Sequence, residues 1–463
     1  MRPASQTRPS RANGASGNHY GHGWLAAVVP ADAQRFRVAD SRLRATLSDA
    51  GAELVDRQPH VEILPARDLR GDARLAVVSI DAPLPGDEPR LVRVLSRVAA
   101  ALRVRVTAAR ASRVVRRRGY RAASIMTWDI GQTLHLPEAP KPRRRPVVEL
   151  LPKRALVVGG ARERSRSLLD AAAADAAAAA GIELTLGRPS MRAGVLVVPA
   201  DRGYLRVAVG PARCQLERQL RALDVLRETA PPAAVADRVP WPLAHGKSGL
   251  ADWSLERRIR GDRARLPLED GVLEQCIEFL VALHGCAAPS EGARPLTSYA
   301  EPVADVCRRE QAQALHALAR RCDAELAAVP RGFAHGDFFA GNLLVDDDGR
   351  LTGVVDWDAA GANRLPLVDL LHLRLMSDRS HPDPAWGARI VRRLLPWARS
   401  GGDDRAREYC RRIGVDPAPR VLEALVVAYW LERSAYQLEV HAHRREQPAW
   451  LAGNVDLVIR ALT

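Results

Sequence analysis

Apolar positions along the chain switch between two periods. Leu343-Leu344-Val345 and Leu351-Thr352-Gly353-Val354-Val355 are short apolar runs on either side of Asp346-Asp347-Asp348-Gly349, which predicts two strands joined by a tight turn. Val195-Leu196-Val197-Val198 and Tyr204-Leu205-Arg206-Val207-Ala208-Val209 flank Asp201-Arg202-Gly203 in the same way and predict a second hairpin. Elsewhere the period lengthens to that of a helix. Val272, Cys276, Phe279, Leu280 and Leu283 share one helical face that ends at Leu283-His284-Gly285, and 216–227, 302–328, 385–399, 404–413, 418–440 and 448–462 also read as helices. Trp430, Tyr436 and Trp450 fall at helical spacing and are assigned to core.

The pattern divides the chain. Residues 1–23 are rich in Arg, Ser, Gly and Asn and read as a disordered tail. Over 24–150, apolar segments at Trp24–Val29, Val61–Leu64 and Leu75–Ile80 alternate with helical ones at Arg42–Ala50 and Leu91–Leu102, predicting an accessory α/β or α+β domain without a motif for its role. Residues 151–181 read as a basic and Ala-rich linker and helix, 182–261 as a β-rich lobe, and 262–463 as a helical lobe.

Charge changes the picture by its distribution. Of the formal net charge of +15, residues 1–261 carry +19 and 262–463 carry −4. The acidic half suits an amine-bearing or neutral hydroxyl substrate. Basic runs at Arg116–Arg121 and Lys141–Arg145 are expected to be solvated surface able to meet a polyanion, but no aromatic-interleaved basic platform or reader motif accompanies them, so nucleic acid is not the expected partner. The six cysteines show neither zinc spacing nor a secreted disulfide framework, and no apolar run is long enough to span a bilayer. A cytoplasmic protein with reduced thiols and no membrane insertion is expected, its oligomeric state open.

Candidate chemistry concentrates in His335-Gly336-Asp337-Phe338-Phe339-Ala340-Gly341-Asn342 and in Asp356-Trp357-Asp358. An Asp with an Asn five residues on lets one short loop present a proton acceptor and a metal ligand. Antiparallel return of the 343–355 hairpin brings Asp356 back beside Asn342, so two oxygen ligands can share one Mg2+ ion.

These motifs resemble those of the aminoglycoside phosphotransferase and choline kinase-like family over about residues 180–460. That resemblance implies a two-lobed protein kinase-like α+β fold, with a small β-rich lobe and a large helical one, preceded here by the extra N-terminal domain. It implies Asp337 as the base or orienting group, Asn342 and Asp356 as Mg2+ ligands, and His335, Asp358 and Asp369 as supporting residues. On the nucleotide side it implies Arg206 as the phosphate-facing cation with Glu217 as its helical partner, a phosphate-covering loop in 187–194, and a hinge over 253–261 in which Leu255, Glu256 and Arg257 contact the nucleotide; a plain edge strand is the alternative for the hinge. The loop holds only Gly187 and Gly194, and Pro189 removes an amide donor, so no P-loop or protein kinase glycine motif is written there. The implied activity is transfer of the terminal phosphoryl group of ATP or GTP to a hydroxyl of a small molecule, whether aminoglycoside, choline-like alcohol, sugar or amino alcohol. A catalytically silent kinase-like binding or regulatory protein is the alternative, favoured by the poor glycine loop and by Arg in place of Lys.

Overall fold

The first strands of the chain lie side by side and parallel because each is followed by a crossover instead of a tight turn. The structure, a computed structural model, describes residues 22–65, 68–70, 73, 75–81, 90–118, 120, 122–128, 134–135, 154–160, 166–192, 194–286, 294–377, 385–440 and 442–462. The tail 1–21 and the basic run Lys141–Arg145 lie outside these. The described residues form two units, 22–221 with 240–259, and 222–239 with 260–462.

In the first unit, β1 (Arg35–Val38), β2 (Glu53–Leu54), β3 (Val61–Ile63), β4 (Leu75–Asp81), β5 (Ala122–Trp128), β6 (Leu134–His135) and β7 (Arg154–Gly160) make a seven-stranded sheet in the order β2-β1-β3-β4-β7-β5-β6. Strands β1 to β4 pair parallel, and β7 runs antiparallel between β4 and β5. The helices are α1 (Leu25–Val28), α2 (Ser41–Asp49), α3 (Arg90–Arg117) and α4 (Leu168–Ala180). The segment expected as a linker, 151–181, is therefore no linker: it supplies an interior strand and a packed helix. Ala155-Leu156-Val157-Val158 is the short continuous apolar run of a strand paired on both sides, framed by basic residues that lend it a linker's composition. Helix α4 starts at a Ser167–Asp170 capping box and ends at Gly181 in the left-handed region. It buries Leu168, Leu169, Ala172 and Ala176, and the two alanines let it lie close to the strands beneath.

Those strands belong to a second sheet, wholly antiparallel: β8 (Ser190–Arg192), β9 (Val195–Pro199), β10 (Gly203–Val209), β11 (Pro242–Ser248) and β12 (Ala251–Arg257), in the order β11-β12-β10-β9-β8. On one face Val195 and Ala208 pack with Leu216 of α5 (Arg213–Glu228). On the other, Leu196, Val198, Leu205, Val207, Trp253 and Leu255 join Trp24, Leu25, Phe36, Leu47 and Leu168 in one continuous core. Strands β9, β10 and β12 carry buried residues on both faces, whereas the edge strand β11 alternates with exposed ones, and no core boundary falls between the accessory domain and the β-rich lobe. At Gly23 a β carbon would meet the carbonyl oxygen of Gly194 at 2.3 Å, so the β8–β9 turn rests directly on the first described turn of the chain.

The second unit is mostly helical: α6 (Ala233–Ala236), α7 (Asp270–His284), α8 (Leu296–Ala304), α9 (Arg309–Glu325), α10 (Val368–Ser377), α11 (Trp386–Arg389), α12 (Leu395–Arg399), α13 (Asp404–Arg412), α14 (Pro419–Val440), α15 (Pro448–Leu451) and α16 (Leu457–Leu462). The helix expected over 302–328 is split, because α8 ends before 305 and α9 starts after the N-cap Arg308. Two small sheets carry the loops between helices. One has the order β13-β15-β16 (Asp262–Arg263, Leu343–Val345, Leu351–Val354), and the other pairs β14 (Gly332–Ala334) with β17 (Gly361–Arg364). No helix among the described residues is long and apolar enough to cross a membrane.

Trp24 is 1% exposed within the core that backs the five-stranded sheet. Trp24→Ala should lower the unfolding free energy by about 3–5 kcal/mol. Denaturant titration checks this, and a loss below about 1 kcal/mol would detach the first helical turn from the core.

Candidate active site

The 343–354 hairpin forms as its turn chemistry dictates. Asp346 Oδ1 accepts from the backbone N–H groups of Asp348 (3.1 Å) and Arg350 (2.8 Å), and Gly349 supplies a positive φ of 73°. Leu343 pairs with Val354, and the N–H of Val355 donates to the carbonyl of Asn342 at 2.9 Å. The hairpin thus delivers Asp356 directly after Val355, whose N–H is hydrogen-bonded to the Asn342 backbone carbonyl. Asp356 itself is left-handed, with φ 66°. Asn363 and the bulky Leu367 share that conformation, with φ 56° and 67°. Such backbones cost roughly 1–3 kcal/mol each and persist where surroundings over-determine them.

The surroundings are visible at Asp369, in the first turn of α10. Its carboxylate accepts from the N–H groups of His335 and Gly336, each at 2.7 Å. Gly336 has φ 79°, and a β carbon there would meet the carbonyl oxygen of Ala359 at 2.2 Å, so only glycine fits. His335 is fully buried, edge-on to Trp357 with ring centroids 4.7 Å apart. Its Nδ1 accepts from the N–H of Asp337 (3.3 Å) and its Nε2 lies 3.1 Å from the Val355 carbonyl, which assigns the neutral tautomer with the proton on Nε2. Trp357 is also fully buried, and its Nε1 donates to the carbonyl of Val354 at 2.8 Å. Asp358, next in sequence, is half-buried.

Asp337 is the meeting point. Asn342 Nδ2 donates to its carbonyl (2.9 Å) and to its Oδ2 (3.1 Å), which leaves Asn342 Oδ1 as an acceptor. Arg433 of α14 donates to Asp337 Oδ1 at 3.0 Å and to the Gly336 carbonyl at 2.9 Å. His372 of α10 places Nε2 3.2 Å from the same Oδ1, while its Nδ1 lies 2.8 Å from the Tyr429 hydroxyl. Burial alone would push the Asp337 carboxyl up, but the His372 imidazole and the Arg433 guanidinium hold it well below the usual carboxylate range. Burial, and then the Arg433 charge, push His372 down, so its imidazole is neutral near pH 7. Burial keeps the Tyr429 hydroxyl protonated, as a donor to His372. The result is an ionised, oriented carboxylate, 29% exposed, that accepts from Asn342 and Arg433 and has His372 Nε2 3.2 Å away.

Asn342 Oδ1 and the Asp356 carboxylate are hard oxygens, the donor type that a magnesium ion takes at few protein positions while phosphate and water fill the rest. Among the described residues no group of three or more His, Cys, Asp or Glu could hold a metal. A cavity of about 240 Å³ between α7, α10 and α13, lined mainly by apolar side chains such as Leu273, Ile277 and Leu370 with Arg374, Asp403 and Arg405 also on its wall, does not include Asp337.

The nucleotide-side residues lie in the first unit, and their partners differ from those expected. Arg206 Nε is 2.7 Å from Glu256 Oε1 of β12, and Gln219 of α5 also donates to that oxygen. Glu217 is not the partner: it sits on the exposed face of α5, while Gln219 is 1% exposed. Leu255 is fully buried, and β12 is paired with β10 on one side and β11 on the other. The stretch 251–257 is thus an interior strand, neither a hinge nor an edge. Ladder pairing occupies the backbone of Leu255 and Glu256 on both sides, and the Arg257 N–H donates to the Trp241 carbonyl at 2.9 Å. Only 258–261 of the expected hinge lies beyond the strand. Within the loop expected over 187–194, Ser190–Arg192 pairs as β8. Sequence reasoning also passed over His372 and Arg433, since each sits in an ordinary helical pattern and reaches Asp337 only through tertiary packing.

Because Glu256 is buried, Arg206→Ala should cost about 3–5 kcal/mol of stability, the penalty of stranding one member of a buried pair. Glu217→Ala should stay within about 0.5 kcal/mol of the wild type. Thermal or denaturant unfolding of both variants decides, and equal losses would restore Glu217 as the partner.

Residues 196–409 match the model of the phosphotransferase enzyme family. No curated protein matches the chain. Similar solved structures include a choline/ethanolamine kinase family protein from Mesorhizobium loti, with 19% identity over 60% of this chain and 86% of that one and a TM-score of 0.38. A choline kinase from Streptococcus pneumoniae shows 15% identity over 59% and 90%, with a TM-score of 0.38. Aminoglycoside 2'-phosphotransferase-IIIa, solved as its GDP complex, shows 13% identity over 58% and 89%, with a TM-score of 0.36. The matched segment, 196–409, holds both the Arg206 strand and the Asp337 loop and is similar to the phosphotransferase enzyme family.

Proposed function

We propose that the protein transfers the terminal phosphoryl group of a nucleoside triphosphate, ATP or GTP, to a hydroxyl of a small molecule. The observation that carries this reading is the Asp337–Asn342 pair with Asp356 returned beside it by the hairpin. Asp337 accepts a hydrogen bond from the acceptor hydroxyl and aims its oxygen at the phosphorus. Its low proton affinity makes orientation its main task, with the proton arriving late, as a loose transition state allows. Asn342 Oδ1 and Asp356 would hold magnesium, which when bound neutralises phosphate charge. Arg206, carrying its charge on β10, is the candidate cation toward the phosphates.

The test is a labelled-phosphate transfer screen with Mg2+ and ATP or GTP against alcohols, sugars and aminoglycosides. Asp337→Asn should lower turnover by roughly 10²–10⁴-fold with nucleotide affinity retained. Asp356→Ala, and less severely Asn342→Ala, should weaken nucleotide binding in a magnesium-dependent way by calorimetry; a magnesium dependence equal to wild type would remove both from the metal site.

One observation favours a second reading, a kinase-like binding protein without turnover: Glu256 already neutralises Arg206. Nucleotide binding with neither hydrolysis nor transfer to any acceptor would select it.

The charge arrangement around Asp337 also fixes a pH dependence. An enzyme that needs ionised Asp337 loses activity as pH falls through that group's pKa, which Arg433 helps to hold low. Arg433→Gln should let the pKa rise and move the acid limb of kcat/KM to higher pH. An unmoved limb would show that Arg433 does not set the ionisation of Asp337.

A further inference from the structure

The acidic balance of residues 262–463 points toward a cationic acceptor, yet the groups beside Asp337 have the opposite sign. Arg433 touches Asp337 directly, and its guanidinium also lies over the Tyr436 ring, 5.5 Å from the centroid. Gln437 follows Arg433 by four residues on α14 and therefore shares its face, about 5–6 Å away at the β carbons. The Gln437 side-chain oxygen accepts from Arg444, whose guanidinium lies over the Trp450 ring at 5.3 Å. The Arg444 guanidinium is thus tied to a residue one helical turn from Arg433 on α14, and Arg433 itself sits on the Asp337 carboxylate.

Their counterions differ. Arg433 has Asp337, and nearby Arg364 has Glu432. Arg444 is half-buried and, among the described residues, has no carboxylate within ion-pair distance; its partners are an amide oxygen and an indole face. A partly desolvated guanidinium beside a second one lacks an anion. Burial and the Arg433 charge both push the Arg444 pKa down from its ordinary value, the direction expected of a cation without its counterion.

We propose that the acceptor bears an anionic group beside its hydroxyl, a carboxylate or a phosphate, and that Arg444, next to Arg433, binds it. The planar fork of Arg suits either anion bidentately. An acceptor amine placed there would meet two like charges. This inference rests on the phosphotransferase reading of Asp337 for the word acceptor, but the anion site stands on the arginines alone.

The test uses the full chain without nucleotide, titrated calorimetrically with D-gluconate, glucose 6-phosphate, glucose and kanamycin, alongside transfer assays on the same four with Mg2+ and ATP. At least one of the two anions should bind about tenfold or more tightly than glucose, as expected of a charge-assisted pair. Gluconate identifies a carboxylate site and glucose 6-phosphate a phosphate site. Arg444→Gln should remove the preference and Arg444→Lys should keep most of it. Equal binding of all four, tighter binding of kanamycin, or a preference unchanged in Arg444→Gln overturns the proposal. If Arg444→Gln does not fold, the wild-type preference and its retention in Arg444→Lys still decide. Arg444-dependent anion binding without any transfer would sink the phosphotransferase reading and leave the anion site; transfer to glucose or kanamycin without anion preference would do the reverse.

Discussion

One carboxylate organises the helical unit. Asp369, in the first turn of α10, takes the N–H groups of His335 and Gly336 at 2.7 Å each, and hydrogen bonds to a charged acceptor contribute roughly 1.5–3 kcal/mol apiece. The positive end of α10 adds to the stability of that charge. With the two N–H groups fixed, the His335 ring turns toward the Val355 carbonyl and accepts from Asp337, and Asn342 closes on the Asp337 carbonyl. The left-handed residues Asp356, Asn363 and Leu367 are tolerated because loop, hairpin and helix are tied to one another. Removing the Asp369 carboxylate would leave two buried donors unpaired and the strain without a counterweight.

What the sequence revealed of the site follows contact range. The 343–354 hairpin was legible because Asp346 and Gly349 specify its turn within four residues, and the Asp337–Asn342 spacing because both sit on one loop. Arg433 reaches Asp337 across 96 residues, and nothing local marks it. The Glu217 expectation failed for a reason the sequence did contain. Leu216, Leu223 and Leu226 define the buried face of α5; a helical period places Gln219 on that face and Glu217 away from it. Gln219 then meets Glu256, which β12 presents from the strand that pairs with Arg206's own.

The first unit shows why composition misplaced the domain boundaries. Basic flanks and alanine suggested a linker at 151–181, but alanine is also what a helix needs to approach a sheet closely, and a four-residue apolar run is enough for an interior strand. The signal against a free-standing β-rich lobe lay in β9 and β10, where Val195-Leu196-Val197-Val198 and Val207-Ala208-Val209 are apolar on both faces. A sheet with one face in water would alternate. Here the second face is covered by Trp24, Leu25 and Leu168, so the chain before β8 is part of the sheet's core.

Net charge by halves of the chain likewise gave less than local geometry. The helical lobe is acidic in sum, but much of that acid lies in surface pairs such as Arg412–Glu278 and Arg405–Glu274, which contribute little and are screened by salt. The partly buried charges carry the field at the site. Asp337 stays ionised against its own desolvation because Arg433 and His372 are fixed beside it before any substrate arrives. Preorganised charge of this kind needs no rearrangement during reaction, and its effect is largest where water is excluded. The same arrangement bears on the proposed chemistry: a carboxylate so stabilised is a weak base, so under the phosphotransferase reading Asp337 would act by placing a hydroxyl rather than by deprotonating it.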